Sequence, residues 1–471
     1  MTTVTAQGGL APFDDWIGRW DAQTPSEPSE LRAWQLEQAW RIAENLARDN
    51  PFFRPRCVLP AGRDAADFRS LPVMTKADVV ADCDLAPPYG SRTVAAPSEL
   101  RHIVQTSGTS GRGTEVYALD AGDEAAIFRA EAVGFWWAGV RPGTRVLLTL
   151  PVSLAAAGQW YRGGLSLIGA NVLCAGSYST EAKAELLFRF RAEVVVGTPS
   201  YLQKLAAAAE VLGDLENLGV TSIIVAGEGY GLDWARRIER RWRGAVLYEQ
   251  YGCTERIMAW ACPRGVLGED GLGVLHVPPE LAYWEVLDIE THEPVSDGEY
   301  GELVSTPLRA DASPLLRFAT GDRVEYVAAG SCNCGRPLPG IRAGGVRRAD
   351  AMLKIRGVNV WPEAFDAALF SVEGVVEYRG RVTCSDEGEA INIEIETAGN
   401  ADEAETACSV REAVRLATGL RATVSVVSPG TIVGSVPPGF VKVSRWIDLR
   451  ATTASRTDAL APVAGSKAGE P

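Results

Sequence analysis

The chain has 471 residues, 46% of them apolar and 23% charged, with a formal net charge of −14. That is enough material for two or three globular domains, and the acidic balance argues against nucleic acid as a partner. No apolar run is long enough for a membrane span, and Met1–Leu10 lacks the basic flank and apolar core of a signal peptide, so the nine cysteines read as thiols or metal ligands of a cytoplasmic protein.

Taken in chain order, residues 30–50 place Leu31, Trp34, Leu36, Trp40, Ile42 and Leu46 on one broad helical face, ended by Asn50-Pro51. Residues 121–139 read as a second helix, followed by an Arg-Pro-Gly turn and a buried strand at 145–150. Strand and helix signals then alternate. Helices are expected over 158–168, 182–190, 201–212 and 234–242. Strands are expected over 171–175, 193–197, 222–226 and 245–250. Short apolar runs ending in glycine and separated by helices predict an α/β fold with a mainly parallel sheet. Beyond residue 270, Val274–His276, Trp284–Leu287 and Gly301–Thr306 alternate with turn clusters, which predicts an antiparallel, β-rich subdomain. A glycine- and arginine-rich stretch near 345 precedes a small α+β region, with strands at 390–396 and 422–427 and a helix at 402–418. Residues 451–471 have the composition of a disordered tail. The domains expected are 1–346 and 347–450.

Residues 106–113 read Thr-Ser-Gly-Thr-Ser-Gly-Arg-Gly. Glycines let backbone amides approach an anion, the hydroxyls of Thr106, Ser107, Thr109 and Ser110 add donors, and Arg112 adds fixed charge. A phosphate clasp and a flexible polar loop both fit that composition. Three further segments fall where ligands sit in α/β proteins, beyond the carboxyl ends of strands. Tyr248–Glu255 (YEQYGCTE) offers an aromatic ring, a hydroxyl at Thr254 and a carboxylate at Glu255. Arg317–Asp322 (RFATGD) offers a carboxylate after a turn, suited to a diol. Ala226–Gly229 (AGEG) is a glycine-rich strand exit. Each alone is also explained by an ordinary turn.

The order of the pieces is more specific. TSGTSG is followed by GTPSYL (197–202), AGEG, YGCTE (251–255), RFATGD and RRADAMLKIRGVNVWPEAFD (347–366). The series resembles the adenylate-forming acyl-CoA ligase superfamily. PFFRPR (51–56), LPVMTKAD (71–78) and CNCGR (332–336) are similar to its phenylacetate–CoA ligase-like branch.

The resemblance implies an enzyme that joins a carboxylic acid to the α-phosphate of ATP, then passes the acyl group to coenzyme A. It implies that Thr106, Ser107, Gly108, Thr109, Ser110, Gly111 and Arg112 clasp phosphates, and that Gly227, Glu228, Tyr251, Asp322 and Arg348 hold the rest of the nucleotide. Thr254 would touch the α-phosphate and Glu255 would bind magnesium. Asp350 would be a hinge, Gly357 would line the path of the pantetheine arm, and Lys442 would reach the reacting carboxylate. Arg112, Ala351 and Val441 depart from the family's usual lysine, aspartate and glycine. Trp136, Trp160, Ala226, Tyr248 and Gly252 would wall an acyl pocket suited to an aryl or arylalkanoic acid. Cys262, His276, Cys332 and Cys334 offer four soft ligands for a structural zinc ion, although His276 in an apolar strand also reads as a packed core residue. The partners expected are a small aryl acid and CoA or a carrier protein, with a homodimer as an allowed assembly. An amine acceptor, or nucleotide binding without turnover, are the alternative readings.

Overall fold

The computed structural model describes residues 27–106, 114–268, 271–334, 338–348, 353–385, 388–399, 401–434 and 445–450. The residues fall into two compact units, 27–348 and 353–450. The expectations for Ser107–Arg112, Asp350, Ala351, Val441, Lys442 and the 451–471 tail lie outside the described residues. Among the described residues, no helix is long and apolar enough to cross a membrane.

The first unit opens with α1 (Pro28–Asp49), which starts on Pro28 and buries Leu31, Gln35, Ala39, Trp40, Ala43 and Leu46. Two short helices follow, α2 (Ala65–Arg69) and α3 (Lys76–Leu85), each started by a capping box: Asp64 with Asp67, and Thr75 with Asp78. Strands β1 (Leu100–Gln105) and β2 (Val116–Asp120) form an antiparallel hairpin around the 107–113 segment. Helix α4 (Ala121–Trp137) is capped by Asp120 and buried along most of its length.

Alternating elements come next: β3 (Arg145–Leu148), α5 (Ala156–Ile168), β4 (Asn171–Cys174), α6 (Thr180–Phe190), β5 (Val194–Gly197), α7 (Pro199–Leu212), β6 (Ser222–Ala226), α8 (Leu232–Arg241) and β7 (Val246–Cys253). Their strands pair in parallel in the order β4-β3-β5-β6-β7. The expectation of continuous apolar runs holds for β5 and β6, every residue of which is buried. Gly134 on α4 is required by packing: a Cβ there would lie 1.9 Å from the fully buried ring of Trp260.

The remaining strands of this unit are β8 (Ile257–Ala261), β9 (Val274–His276), β10 (Ala282–Leu287), β11 (Tyr300–Pro307), β12 (Phe318–Val327), β13 (Gly340–Arg342) and β14 (Arg347–Arg348). They extend the sheet in the order β7-β8-β9-β13-β12-β11-β10, all antiparallel, with β14 beside β12. Strand β7 is therefore the switch, parallel to β6 on one side and antiparallel to β8 on the other.

The second unit holds a hairpin of β15 (Leu353–Ile355) and β16 (Val358–Val360), then α9 (Pro362–Ser371), β17 (Val375–Ser385), β18 (Gly388–Thr397), α10 (Glu403–Thr418), β19 (Thr423–Val427), α11 (Thr431–Gly434) and β20 (Trp446–Asp448). Its sheet runs β19-β18-β17-β20. Phe365, Leu369, Tyr378, Ile393, Ile395, Val410 and Val414 make its core.

Candidate functional site

The carboxyl end of the switch strand β7 is where this topology opens a ligand crevice. Tyr251, near that end, donates its hydroxyl to Asp322 Oδ2 at 2.7 Å, and Arg348 Nη1 reaches Asp322 Oδ1 at 2.9 Å. Three residues expected at the nucleotide, scattered over almost a hundred positions, thus meet at one carboxylate. Burial, then the Asp322 charge, push the Tyr251 phenol well above its ordinary range, so it stays a donor. A carboxylate has about four acceptor positions, so Asp322 keeps capacity for a diol.

Asp322 is aimed by a β-bulge. Val304 faces Ala319 and Glu302 faces Arg323, so two steps along β11 match four along β12. Thr320 Oγ1 donates to Leu303 O at 2.9 Å and accepts from the Asp322 amide at 2.9 Å, which pins the bulge. Gly321 sits there at φ +70°, where a Cβ would lie 3.0 Å from Arg348 Nη2.

A second group of charges lies below the β7–β8 turn. Glu255, 1% exposed, is 3.1 Å from Lys76 Nζ, which is 3.7 Å from Glu115 Oε1. Tyr117 donates to the other Glu115 oxygen at 2.6 Å. Burial opposes the Lys76 charge, but Glu255 and Glu115 outweigh it and raise its pKa. Burial first, then the Glu255 charge, push Glu115 up to about 7.

Neither Lys76 nor Glu115 was among the expected site residues; the only sequence signal was that Lys76 falls within LPVMTKAD. Its place is fixed from β12. Met74 bridges Phe318, with its amide 3.0 Å from Arg317 O and its carbonyl 2.8 Å from the Ala319 amide. The buried Arg317 guanidinium holds Glu285 at 3.0 Å and donates to the carbonyls of Arg69 and Leu71. Thr106 stands at the neck of the 107–113 segment, its amide 3.0 Å from Glu115 O and its hydroxyl accepting from the Glu115 amide at 2.9 Å. The neck therefore lies directly beside the Lys76 group.

Thr254 is partly exposed in the turn after β7. Arg256, which follows Glu255, has φ +64° and pairs with Asp123 at 2.8 Å, both side chains being at most 1% exposed. Asp123 also accepts the amides of Asp311 and Ala312. Removing one partner of such a buried pair costs about 3–5 kcal/mol, so Arg256 firmly ties the turn to α4.

Gly227 leaves β6 at φ +83°. The Glu228 side chain points to α7 instead, accepting the Ser200 amide at 3.0 Å and hydroxyl at 2.9 Å. Ala226, Gly252 and Trp160 lie at the carboxyl edge of the sheet or on the helix leaving it. Trp136 and Tyr248 are placed elsewhere. Trp136 lies near the amino edge, stacked on Arg141 at 4.0 Å and two residues from Ala138, whose carbonyl accepts from Ser222 at the start of β6. Tyr248 points toward Pro263 O at 3.3 Å. The resemblance that suggested Trp136 as a pocket wall carries no information about the end of the sheet at which it falls. Gln250, two residues before Gly252 on β7, is held by Tyr161 at 2.5 Å and by fully buried Glu131 at 3.3 Å. Its neighbour Glu249 accepts Tyr230 Oη at 2.5 Å and the Gly344 amide at 2.6 Å, and burial lifts it to about 7 against both bonds.

The ligand atoms of Cys262, His276, Cys332 and Cys334 lie within 4.8 Å of one another. Cys262 follows β8, His276 ends β9, and the two remaining cysteines lie in the loop that returns to β13, the strand paired with β9. His276 Nδ1 is 3.1 Å from Leu338 O, which leaves Nε2 to face Cys334 Sγ at 3.3 Å. Burial disfavours the imidazolium, but hydrogen bonds to Cys332 and Cys334 outweigh it and lift His276 to about 9. The Cys262 thiol is pushed up by Cys334 and then by burial. His102, on β1, contacts Glu124.

A family model described as AMP-binding enzyme matches residues 59–306, and one described as AMP-binding enzyme C-terminal domain matches residues 357–450. The chain is 30% identical over 389 residues to a phenylacetate-coenzyme A ligase of Thermus thermophilus, covering 81% of this chain and 82% of that one. It is 26% identical over 432 residues to the phenylacetate-coenzyme A ligase of Escherichia coli, covering 89% and 95%. A crystal structure of 2-hydroxyisobutyryl-CoA ligase with a bound acyl-AMP has a similar fold, with a TM-score of 0.79 over 92% of each chain at 24% identity.

Proposed function

Because the chain belongs to the family of AMP-binding, adenylate-forming enzymes, we propose that it activates an aryl or arylalkanoic carboxylic acid with ATP and transfers the acyl group to coenzyme A. The observation that carries this reading is the meeting of Tyr251, Asp322 and Arg348 at one carboxylate, on the same strand that anchors the segment leading to Lys76. In the first step a carboxylate oxygen of the acid bonds to the α-phosphorus and pyrophosphate leaves. In the second, the CoA sulfur bonds to the acyl carbon, the acyl–phosphate bond breaks, AMP departs and the thiol proton goes to solvent. Neither step needs a covalent bond to protein, so the residues act by orientation and charge.

Asp322 would accept the ribose hydroxyls while Arg348 and Tyr251 hold its carboxylate in place. Lys76 would offer its ammonium to the phosphate end, beside the loop 106–112. Glu255 fits a magnesium ion, which would balance phosphate charge. Thr254 would donate to the α-phosphate, and Lys442 would approach the reacting carboxylate. Trp160, Ala226 and Gly252 would bound a short, flat acyl pocket. Residues 1–346 would hold most of the nucleotide and the acid, while 347–450 would add Arg348 and Lys442 to the first step and Gly357 to the acceptor path in the second. Cys262, His276, Cys332 and Cys334 fit tetrahedral zinc: all are soft donors, and Leu338 O sets the imidazole so that Nε2 faces the cysteines. With four protein ligands its role would be structural.

The test is pyrophosphate release from ATP across benzoates, phenylacetates and cinnamates, followed by product mass with CoA. ATP-dependent release with none of the acids would overturn the reading. An acyl-adenylate that persists in the presence of CoA would overturn only the acceptor and point to a carrier protein or an amine.

A further inference from the structure

The turn between β15 and β16 is exposed and conformationally costly. Ile355 pairs with Val358, leaving a two-residue loop of Arg356 and Gly357, at φ +50° and +78°. Two successive left-handed residues make the turn that hairpins favour, for which Asn-Gly is the best-suited pair. Arginine in the first position carries a side chain poorly suited to that conformation. The hairpin forms a two-stranded sheet of its own, and such a hairpin is marginal without outside support.

The support comes from β18 and from Arg450, two residues beyond β20. Glu389 accepts the Arg356 amide with its carboxylate and Arg356 Nε with its carbonyl, the latter at 2.8 Å. Arg450 Nη1 reaches the other Glu389 oxygen at 2.5 Å and Lys354 O at 2.5 Å, while Asp448 holds Arg450 Nε at 2.9 Å. The bond from the Arg356 amide, followed by those from Arg450, holds Glu389 below the usual carboxylate range. Two strands remote in sequence thus grip both the turn and the strand leading into it, while Val358 and Asn359 beyond it stay exposed.

We propose that Glu389, oriented by Arg450, is a positioning residue for the thioester-forming half-reaction, holding the Arg356–Gly357 turn in its left-handed form so that Gly357 and Val358 meet the acceptor in one arrangement. The proposal rests on the reading of CoA as acceptor and of Gly357 as part of the pantetheine path. It predicts an effect confined to the second step, because none of these residues lies in the unit that carries Asp322 and Lys76.

The experiment uses the full chain and an acid accepted by the wild type. Pyrophosphate release reports the first step, and a single turnover of preformed acyl-adenylate mixed with CoA reports the second. Glu389→Ala should slow thioester formation about ten-fold and leave pyrophosphate release within about two-fold. Glu389→Gln, which keeps an acceptor for the Arg356 amide, should fall between wild type and Glu389→Ala, and it stands in if the alanine variant does not fold. Arg356→Asn supplies the residue the turn prefers, so Glu389→Ala combined with Arg356→Asn should recover most of the lost transfer rate. Equal losses in both steps, unchanged transfer in Glu389→Ala, or failure of the asparagine to restore transfer would each overturn the positioning role. A wild type that forms adenylate but no CoA thioester would remove the acceptor reading itself, and the proposal with it.

Discussion

Replacing Glu249 by glutamine should flatten the pH dependence of stability in the first unit. The glutamine carbonyl can accept the Tyr230 hydroxyl and the Gly344 amide as the Glu249 oxygen does, so the geometry survives while the charge is lost. Burial raises the Glu249 acid from 4.5 to about 7 in the folded protein. An acid whose folded pKa lies above its unfolded value contributes its full stability below the unfolded value. Between pH 4.5 and about 7 the unfolded chain releases a proton that the folded chain keeps, so stability falls as pH rises through that window and is level above it. At about 1.4 kcal/mol per pH unit the interval amounts to on the order of 3 kcal/mol. For a unit of roughly 320 residues, an unfolding entropy of about 2.1 cal/mol/K per residue converts this to ~5 °C in melting temperature. Thermal melts of the nucleotide-free protein at pH 4.5, 6 and 8, followed by near-UV dichroism of the buried tryptophans, provide the measurement. The wild type should lose about 5 °C more than Glu249→Gln across the series. Glu115, which titrates in the same range, is present in both proteins and cancels in the difference. Parallel profiles for the two proteins would refute the argument that burial keeps Glu249 protonated.

Lys76→Met should increase the affinity of the nucleotide-free protein for Mn²⁺ roughly ten-fold, since two buried carboxylates lose their shared counter-charge; paramagnetic resonance titration reads the change, and unchanged or weaker binding would contradict the ion-pair account. Asp322→Asn should raise KM for ATP by about 10- to 100-fold, the worth of a charge-assisted hydrogen bond, and initial-rate kinetics decide whether it does. Elemental analysis should find about one zinc per chain, lost in Cys334→Ser with a lower melting temperature; metal-free protein of unchanged stability would remove zinc from the account.

The parallel half of the sheet was legible because a strand covered on both faces must be almost continuously apolar, as Val194–Gly197 and Ile223–Ala226 are. The antiparallel half carried weaker signals. RFATGD read as a turn because Thr-Gly-Asp is turn chemistry; all but its arginine lie in β12, where a bulge uses the same residues. The β1–β2 hairpin and α3 were not anticipated; in β1 the exposed and half-buried residues break the apolar pattern. Tyr251, Asp322, Arg348 and the cysteine cluster could be named from motif order and residue type. Lys76 and Glu115 could not: their meeting depends on the bridge between Met74 and Phe318, a tertiary contact with no local pattern.

The bulge in β12 adds two residues, an even number, so the strand resumes with the same faces inward and outward as before. Phe318 and Val324, on either side of it, are both fully buried. Carrying Asp322 therefore costs the sheet nothing in register: its carboxylate sits on an outgrowth of a strand that would pair correctly without it. Loss of Thr320 and Gly321 together would leave the hydrophobic faces matched while withdrawing the carboxylate, whereas loss of either one alone would turn half the strand inside out. At this point in the chain, the Asp322 carboxylate can be gained or lost without renegotiating the fold, provided the change comes in pairs.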